Sequence, residues 1–182
     1  MAISRNNILF LLNKVVPLLE ELGIQWWLGR GVLRNFYLTG KVGDKNSDLD
    51  FHIWDRNKQI LREKLEPIFS SEGYTMDDFW YKIAFYKPKL PAQHEFFVEF
   101  MLLFEDSNNQ GLVYHSRDKE KKYARESCFS NYDTIQINDT NVKIPVNVEL
   151  YFLGTYGPNW KDNSLNDKNF QSTPSLFNDL DF

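Results

Sequence analysis

The chain has 182 residues, a formal net charge of −4 and a sequence pI near 5.4. This length suits one domain with its own hydrophobic core, and the acidic balance argues against a general affinity for nucleic acid. Cys128 is the one cysteine, which excludes an internal disulfide and suits a reducing compartment. No apolar run approaches the roughly 20 residues of a membrane-spanning helix. We therefore expect a cytoplasmic protein without a transmembrane segment.

The first third of the chain alternates between helical and strand patterns. Apolar residues recur at helical spacing over 5–22, with Gly23 as a stop, and predict a packing helix that Pro17 interrupts. A short buried strand is predicted at 24–28 and a second helix at 30–38. The helix at 30–38 begins where a glycine-rich turn ends, so its start is the first candidate for chemistry.

Gly29 and Gly31 flank Arg30 at the transition from strand to helix. The first turn of a helix leaves backbone N–H groups unpaired, and such groups bind phosphate. Arg34 lies one helical turn after Arg30, so both guanidinium groups could clamp a phosphate. The alternative for Arg34 is a solvated charge on the helix surface.

The predicted strand 48–54 carries two carboxylates, after a polar loop at 40–47. Asp48 and Asp50 are two residues apart, so their side chains share one face, about 7 Å apart at the backbone. Two such carboxylates repel each other unless they share a cation, and Mg²⁺ or Mn²⁺ is the usual occupant. His52 shares that face, either as a substrate ligand or as a neutral, hydrogen-bonded strand histidine.

The remaining elements follow from periodicity and turn signals. The predictions are a helix at 56–70, a strand at 79–86, a strand at 94–104, a short strand at 111–116, a pair of short strands over 135–144 that turns as a hairpin at Asn138-Asp139, and a helix at 145–156. The charged run 119–125 is predicted as an exposed loop or turn, with contact to a donor phosphate or acceptor as the alternative. We expect a single domain over 1–160 and a loosely ordered tail over 161–182.

Three motifs, in this order, resemble the nucleotidyltransferase superfamily typified by DNA polymerase beta, and more closely its LicD branch, which includes the fukutin-related proteins. They are Trp26-Trp27-Leu28-Gly29-Arg30-Gly31-Val32-Leu33, Asp48-Leu49-Asp50 and Tyr156-Gly157-Pro158-Asn159-Trp160. The resemblance spans roughly 8–160. Two features depart from the LicD pattern: Arg30 interrupts the paired glycines, and 43–47 replaces an aromatic-proline segment.

The resemblance implies an α+β nucleotidyltransferase fold, a mixed twisted sheet with helices packed against it. It also implies a third carboxylate on a strand next to Asp48 and Asp50. Glu99 best matches that position, and Glu95 on the same face is the alternative. A glutamate buried among phenylalanines is costly without a partner, which a metal would supply. The implied catalytic and metal-binding residues are thus Asp48, Asp50 and Glu99.

The LicD resemblance implies a Mg²⁺-dependent transferase that moves phosphocholine or an alditol or sugar phosphate from a CDP-type donor to a cell-surface glycan hydroxyl. An alternative keeps the site but moves a nucleoside monophosphate from a nucleoside triphosphate to a small molecule, as antibiotic-modifying enzymes do. A further alternative is a catalytically degenerate binding domain, which the altered glycine turn would suit.

Overall fold

The structure is a computed structural model that describes residues 5–42, 48–89, 93–117, 120–162 and 174–177. These ranges contain four α-helices and nine β-strands. The helices are α1 (Arg5–Glu21), α2 (Arg30–Thr39), α3 (Lys58–Ser71) and α4 (Val148–Tyr156). The strands are β1 (Trp26–Leu28), β2 (Leu49–Trp54), β3 (Thr75–Phe79), β4 (Lys82–Lys89), β5 (Gln93–Glu105), β6 (Leu112–Arg117), β7 (Glu120–Arg125), β8 (Tyr132–Ile137) and β9 (Thr140–Pro145).

A mixed sheet forms the centre of the fold, as predicted. Its strand order is β1-β2-β5-β4-β3, and β6 and β7 extend it from the end of β5. β2 and β5 are parallel, whereas the other pairs are antiparallel. The hairpin of β8 and β9 forms a separate two-stranded sheet. The parallel pair at the centre brings two distant parts of the chain into register.

The central strand β2 is buried on both faces. On one face Phe51 stacks on Phe100 of β5, with ring centroids 5.6 Å apart, and Trp26 meets the edge of Phe51. The apolar stripe of α1 is fully buried, and this helix runs through Pro17 without division. The other face of β2 carries Asp50 and His52, because side chains alternate along a strand. Asp50 and His52 are also buried, so both polar side chains lie in the protein interior.

Two predicted elements differ from the structure. The residues at 79–86 do not form one strand: a turn at Trp80 and Tyr81 separates β3 from β4. Lys119 lies outside the described residues, but the rest of the charged run, 120–125, is not an exposed loop, since β7 pairs with β6 and packs against α4. Lys122 and Tyr123 are consequently buried. The charged composition of 120–125 thus concealed a strand that distant elements bury.

The end of the described chain packs onto α4 and β7. α4 ends at Gly157, whose φ of 85° is left-handed, and Trp160 is buried after the turn. Phe177 is also buried, and Arg125 donates a hydrogen bond to its carbonyl oxygen. Residues 163–173 and 178–182 of the predicted tail lie outside the described residues. None of the described helices combines the length and apolarity needed to cross a membrane.

Candidate active site

Three carboxylates meet at the parallel pair of strands. The register of β2 against β5 places Asp50 directly beside Glu99, and Asp48 immediately precedes β2. One oxygen of each carboxylate lies within 4.8 Å of the others. The structure therefore brings together the three residues implied as metal ligands. The side chain of Glu95, the alternative, lies outside the described residues.

Asp50 is the most deeply placed of the three, with 2% of its surface exposed. Burial raises the pKa of Asp50 well above its usual range, and the neighbouring Asp48 raises it further, whereas Arg30 lowers it. Its Oδ1 atom is buried and accepts no hydrogen bond from any described residue. Three carboxylates, with one buried oxygen that accepts no hydrogen bond, match the hard oxygen ligands that Mg²⁺ and Mn²⁺ prefer. The residues present thus fit a divalent cation.

Two basic side chains already contact this carboxylate cluster. The Nε atom of Arg30 lies 3.9 Å from Asp50 Oδ1, and Lys82 Nζ donates a hydrogen bond to Glu99 Oε1 over 2.6 Å. Lys82 was not among the predicted site residues. Its position follows from the register of β4 against β5, and no motif in the sequence marks it.

The glycine turn is held tightly between β2 and α4. Gly29 donates its N–H to the carbonyl of Asp50 over 2.9 Å. A Cβ atom on Gly29 would lie 2.4 Å from His52 Cδ2 and 3.0 Å from the hydroxyl of Tyr151. The φ of Gly29 is −133°, which any residue can adopt, so space rather than backbone conformation requires glycine here.

Arg30 begins α2 with a left-handed φ of 52°, which is uncommon for a residue other than glycine. Its N–H donates to the Tyr151 hydroxyl over 2.8 Å. The predicted phosphate-binding group of N–H donors included this N–H, but in the structure it already donates to the Tyr151 hydroxyl. The predicted phosphate site is therefore restricted to the backbone N–H groups that follow Arg30, beginning with that of Gly31.

A fully buried polar cluster lies behind the glycine turn. Tyr151 shares a hydrogen bond of 2.8 Å with His52 Nε2, and the ring centroids of His52 and His115 are 4.9 Å apart. Burial lowers the pKa of His52 to about 3 and that of His115 well below its usual range, and the positive charge of Arg30 adds to both shifts. Both imidazoles are thus neutral at physiological pH. Of the two predictions for His52, the structure thus favours the neutral, hydrogen-bonded strand histidine. Tyr151 and His115 were not predicted as site residues, because their partners are distant in sequence.

Arg34 is engaged elsewhere. Its Nε and Nη2 atoms donate to the carbonyls of Trp160 and Asp162, over 2.6 and 2.5 Å, and its guanidinium lies over the ring of Tyr156. The side chain is buried, so the alternative of a solvated charge is wrong. A phosphate clamp shared with Arg30 would require Arg34 to release both carbonyls. In this structure Arg34 fastens the C-terminal turn to α2.

No protein-family model matches the sequence, and no curated protein matches it. Solved structures that are similar over most of the chain include these two. One is the lincosamide antibiotic adenylyltransferase LnuA with lincomycin bound, at 14% identity and a TM-score of 0.52, covering 83% of this chain and 85% of that one. The other is an antigenic nucleotidyltransferase-like protein from Paracoccidioides brasiliensis, at 14% identity and a TM-score of 0.53, covering 86% and 69%.

These similarities confirm the α+β nucleotidyltransferase fold. The assignment to the LicD branch is wrong, because neither structural neighbour is a LicD protein and no family model matches. A glycine turn followed by Asp-x-Asp does not distinguish one branch of the superfamily from another. In the third motif, Trp160 has a packing role: its side chain is buried and its carbonyl accepts a hydrogen bond from Arg34. The predictions of phosphocholine as the transferred group and of a cell-surface glycan as the acceptor rested on the LicD assignment, so they are no longer supported.

Proposed function

We propose that this protein is a metal-dependent nucleotidyltransferase, which moves a nucleoside monophosphate from a nucleoside triphosphate to a hydroxyl group of a small molecule. The observation that carries the proposal is the convergence of Asp48, Asp50 and Glu99 beside the start of α2. The names of both structural neighbours support nucleotidyl transfer as the reaction class. The small-molecule acceptor rests on the antibiotic substrate in the name of LnuA.

The three carboxylates would have two roles: two of them would bind the metal ion, and the third would accept a proton. Asp48 and Asp50 would hold Mg²⁺ or Mn²⁺, which neutralises the donor phosphates and stabilises the charge that develops during transfer. Glu99 would take the proton of the acceptor hydroxyl as that oxygen bonds to the α-phosphorus. The bond from the α-phosphorus to the bridging oxygen breaks, and pyrophosphate leaves. The N–H groups that follow Arg30 would bind the donor phosphates.

The first test is calorimetric titration of ATP, CTP, GTP and UTP in the presence of Mn²⁺. We expect one or more nucleotides to bind only with the metal, and the double variant D48N/D50N to lose that binding. Asp133→Asn, on the distant hairpin of β8 and β9, is the matched control and should bind normally. Nucleotide binding that needs no metal, or that survives in D48N/D50N, would contradict the proposal.

A second assay tests the acceptor. Each nucleotide that binds is incubated with a panel of hydroxylated small molecules that includes lincomycin, and pyrophosphate release and product mass are measured. Pyrophosphate together with a nucleotidylated acceptor is the expected result.

The catalytically degenerate binding domain is the second candidate function. One observation favours it: Arg30 and Lys82 already place two positive charges on the carboxylates. This alternative predicts nucleotide binding without pyrophosphate release for any acceptor. The two assays together therefore separate an enzyme from a binding domain.

A further inference from the structure

The ion pair of Lys82 with Glu99 is fixed by the sheet itself. The register of β4 against β5 pairs Ala84 with Glu99 and Lys82 with Met101. Lys82 and Glu99 are therefore diagonal neighbours on one face of the sheet, within reach of a long side chain. Their side chains are 19% and 14% exposed, and Nζ lies 2.6 Å from Oε1. This is a partly buried ion pair at the edge of the carboxylate cluster.

Aromatic rings hold the ammonium group in place. Lys82 Nζ lies 5.5 Å from the ring centroid of Phe79 and 6.0 Å from that of Tyr81, distances typical of attraction between a cation and a ring face. Those two rings stack on each other, and the Tyr81 carbonyl accepts the N–H of Leu102 in β5. The turn that carries the rings is thus tied to the strand that carries Glu99. Lys82 is a positioned charge rather than a mobile surface lysine.

The formal charges at the site favour the binding of one divalent cation over the binding of two. Among the described residues, the three carboxylates contribute a formal −3 when all are ionised, and Arg30 and Lys82 contribute +2, which leaves −1. One divalent cation changes the sum to +1, whereas two would change it to +3. A two-metal site also needs cations about 3.5–4 Å apart that share the carboxylates. One oxygen of the third carboxylate, Glu99 Oε1, is already held by Lys82.

We propose that Lys82 takes the place of a second divalent cation at Glu99, so that the site binds a single divalent ion on Asp48 and Asp50. This inference rests on the proposed function, because it concerns the same metal site. With Oε1 held by Lys82, the other oxygen of Glu99 is the one presented to the acceptor hydroxyl. Lys82 is accordingly a positioning residue.

The test counts bound Mn²⁺ by electron paramagnetic resonance, with the metal alone as the probe. We expect one Mn²⁺ per wild-type chain and two per chain of Lys82→Met. Lys82→Arg, which restores the positive charge, should return the count to one. Lys87→Met is the matched control: Lys87 lies on the same strand, over the ring of Tyr74, and its loss should leave the count at one. Circular dichroism and thermal unfolding establish that each variant is folded.

The outcomes separate this inference from the proposed function. Two ions in the wild type, or one ion in both the wild type and folded Lys82→Met, would overturn the role of Lys82 and leave the nucleotidyltransferase proposal standing. No bound ion in either the wild type or Lys82→Met would overturn the role of Lys82, and the proposed function would then stand or fall on the calorimetric titrations with nucleotides. One ion in the wild type that D48N/D50N abolishes, with two in Lys82→Met, would support both.

Discussion

The hydroxyl of Tyr151 accepts the backbone N–H of Arg30 at 2.8 Å and joins α4 to the first residue of α2. The two residues are far apart in sequence, and their contact fixes the left-handed residue beside Asp50. A buried N–H that loses its partner costs about 1–3 kcal/mol. Tyr151 therefore supports the turn that the proposed function assigns to the donor phosphates.

Tyr151→Phe removes only this hydroxyl, and with it the hydrogen bonds to the Arg30 N–H and to His52 Nε2. We expect the free energy of unfolding to fall by about 1–3 kcal/mol and the dissociation constant for the nucleotide to rise, with the Mn²⁺ count unchanged. Urea denaturation and calorimetry measure both effects. Tyr132→Phe is the control, because the ring of Tyr132 is 48% exposed on the β8–β9 hairpin. Equal stability of Tyr151→Phe and the wild type would show that the hydrogen bond does not hold the turn.

Gly29→Ala tests the space at the turn. The added methyl group would overlap the His52 ring, and such overpacking typically costs about 1–3 kcal/mol. His52→Ala makes room for that methyl group, so the double variant should be less destabilised than the sum of the two single variants. Thermal unfolding of all four proteins measures the coupling. Additive effects would mean that the overlap is relieved by movement elsewhere.

His115 predicts a pH dependence of stability. Its pKa in the folded protein is lowered well below 6.5 by burial, so below pH 6.5 the unfolded chain binds a proton that the folded chain does not. Stability is therefore lost as the pH falls, by about 1.4 kcal/mol per pH unit for each such histidine. His115→Leu should remove the part of this pH-dependent loss of stability that His115 causes between pH 6 and 4.5. Urea denaturation across that range measures it.

At pH 7 the same substitution should be neutral or stabilising. Both ring nitrogens of His115 are buried without a hydrogen-bond partner among the described residues, and an apolar side chain avoids that cost. An unchanged pH slope in His115→Leu would contradict the buried, neutral imidazole. A large loss of stability at pH 7 would indicate that its nitrogens have a partner.

Arg34→Ala should loosen the C-terminal turn. Its two hydrogen bonds to the carbonyls of Trp160 and Asp162 would be lost, and limited proteolysis should then cleave faster near these residues. Lys161→Ala is the control, since the side chain of Lys161 is 66% exposed. Mass spectrometry locates the cuts. Unchanged cleavage in Arg34→Ala would show that packing of Trp160 alone holds the turn.

Elements with strong local periodicity were predictable from the sequence. The apolar stripe of α1, the alternation of β2 and the turn between β8 and β9 each carry a signal within a few neighbouring residues. The shared face of Asp48 and Asp50 follows from the two-residue period of a strand in the same way. Glu99 is different, because periodicity does not reveal which strands pair. Its place beside Asp50 came from the resemblance to the superfamily, and the register of β2 and β5 agrees with it.

The parts that were missed depend on partners distant in the chain. Lys82, Tyr151 and His115 are single residues without a motif, and only the assembled sheet and α4 give them their contacts. β7 was taken for a solvated segment because its charged residues suit a loop, yet pairing with β6 buries Lys122. The LicD assignment was also wrong, because the motifs that suggested it also occur in a chain whose structural neighbours share only the nucleotidyltransferase fold.

The parallel pairing of β2 with β5 has a consequence for the order of folding. The chain between these strands runs through α3 and the hairpin of β3 and β4, and strand pairing across so long a crossover forms more slowly than local helices do. A nascent chain that stops before Glu99 therefore contains the glycine turn and both aspartates without the complete carboxylate cluster. During refolding, α1 should gain helical structure before the cluster forms. The arrival of Glu99 beside Asp50 would then mark the moment at which β5 docks beside β2.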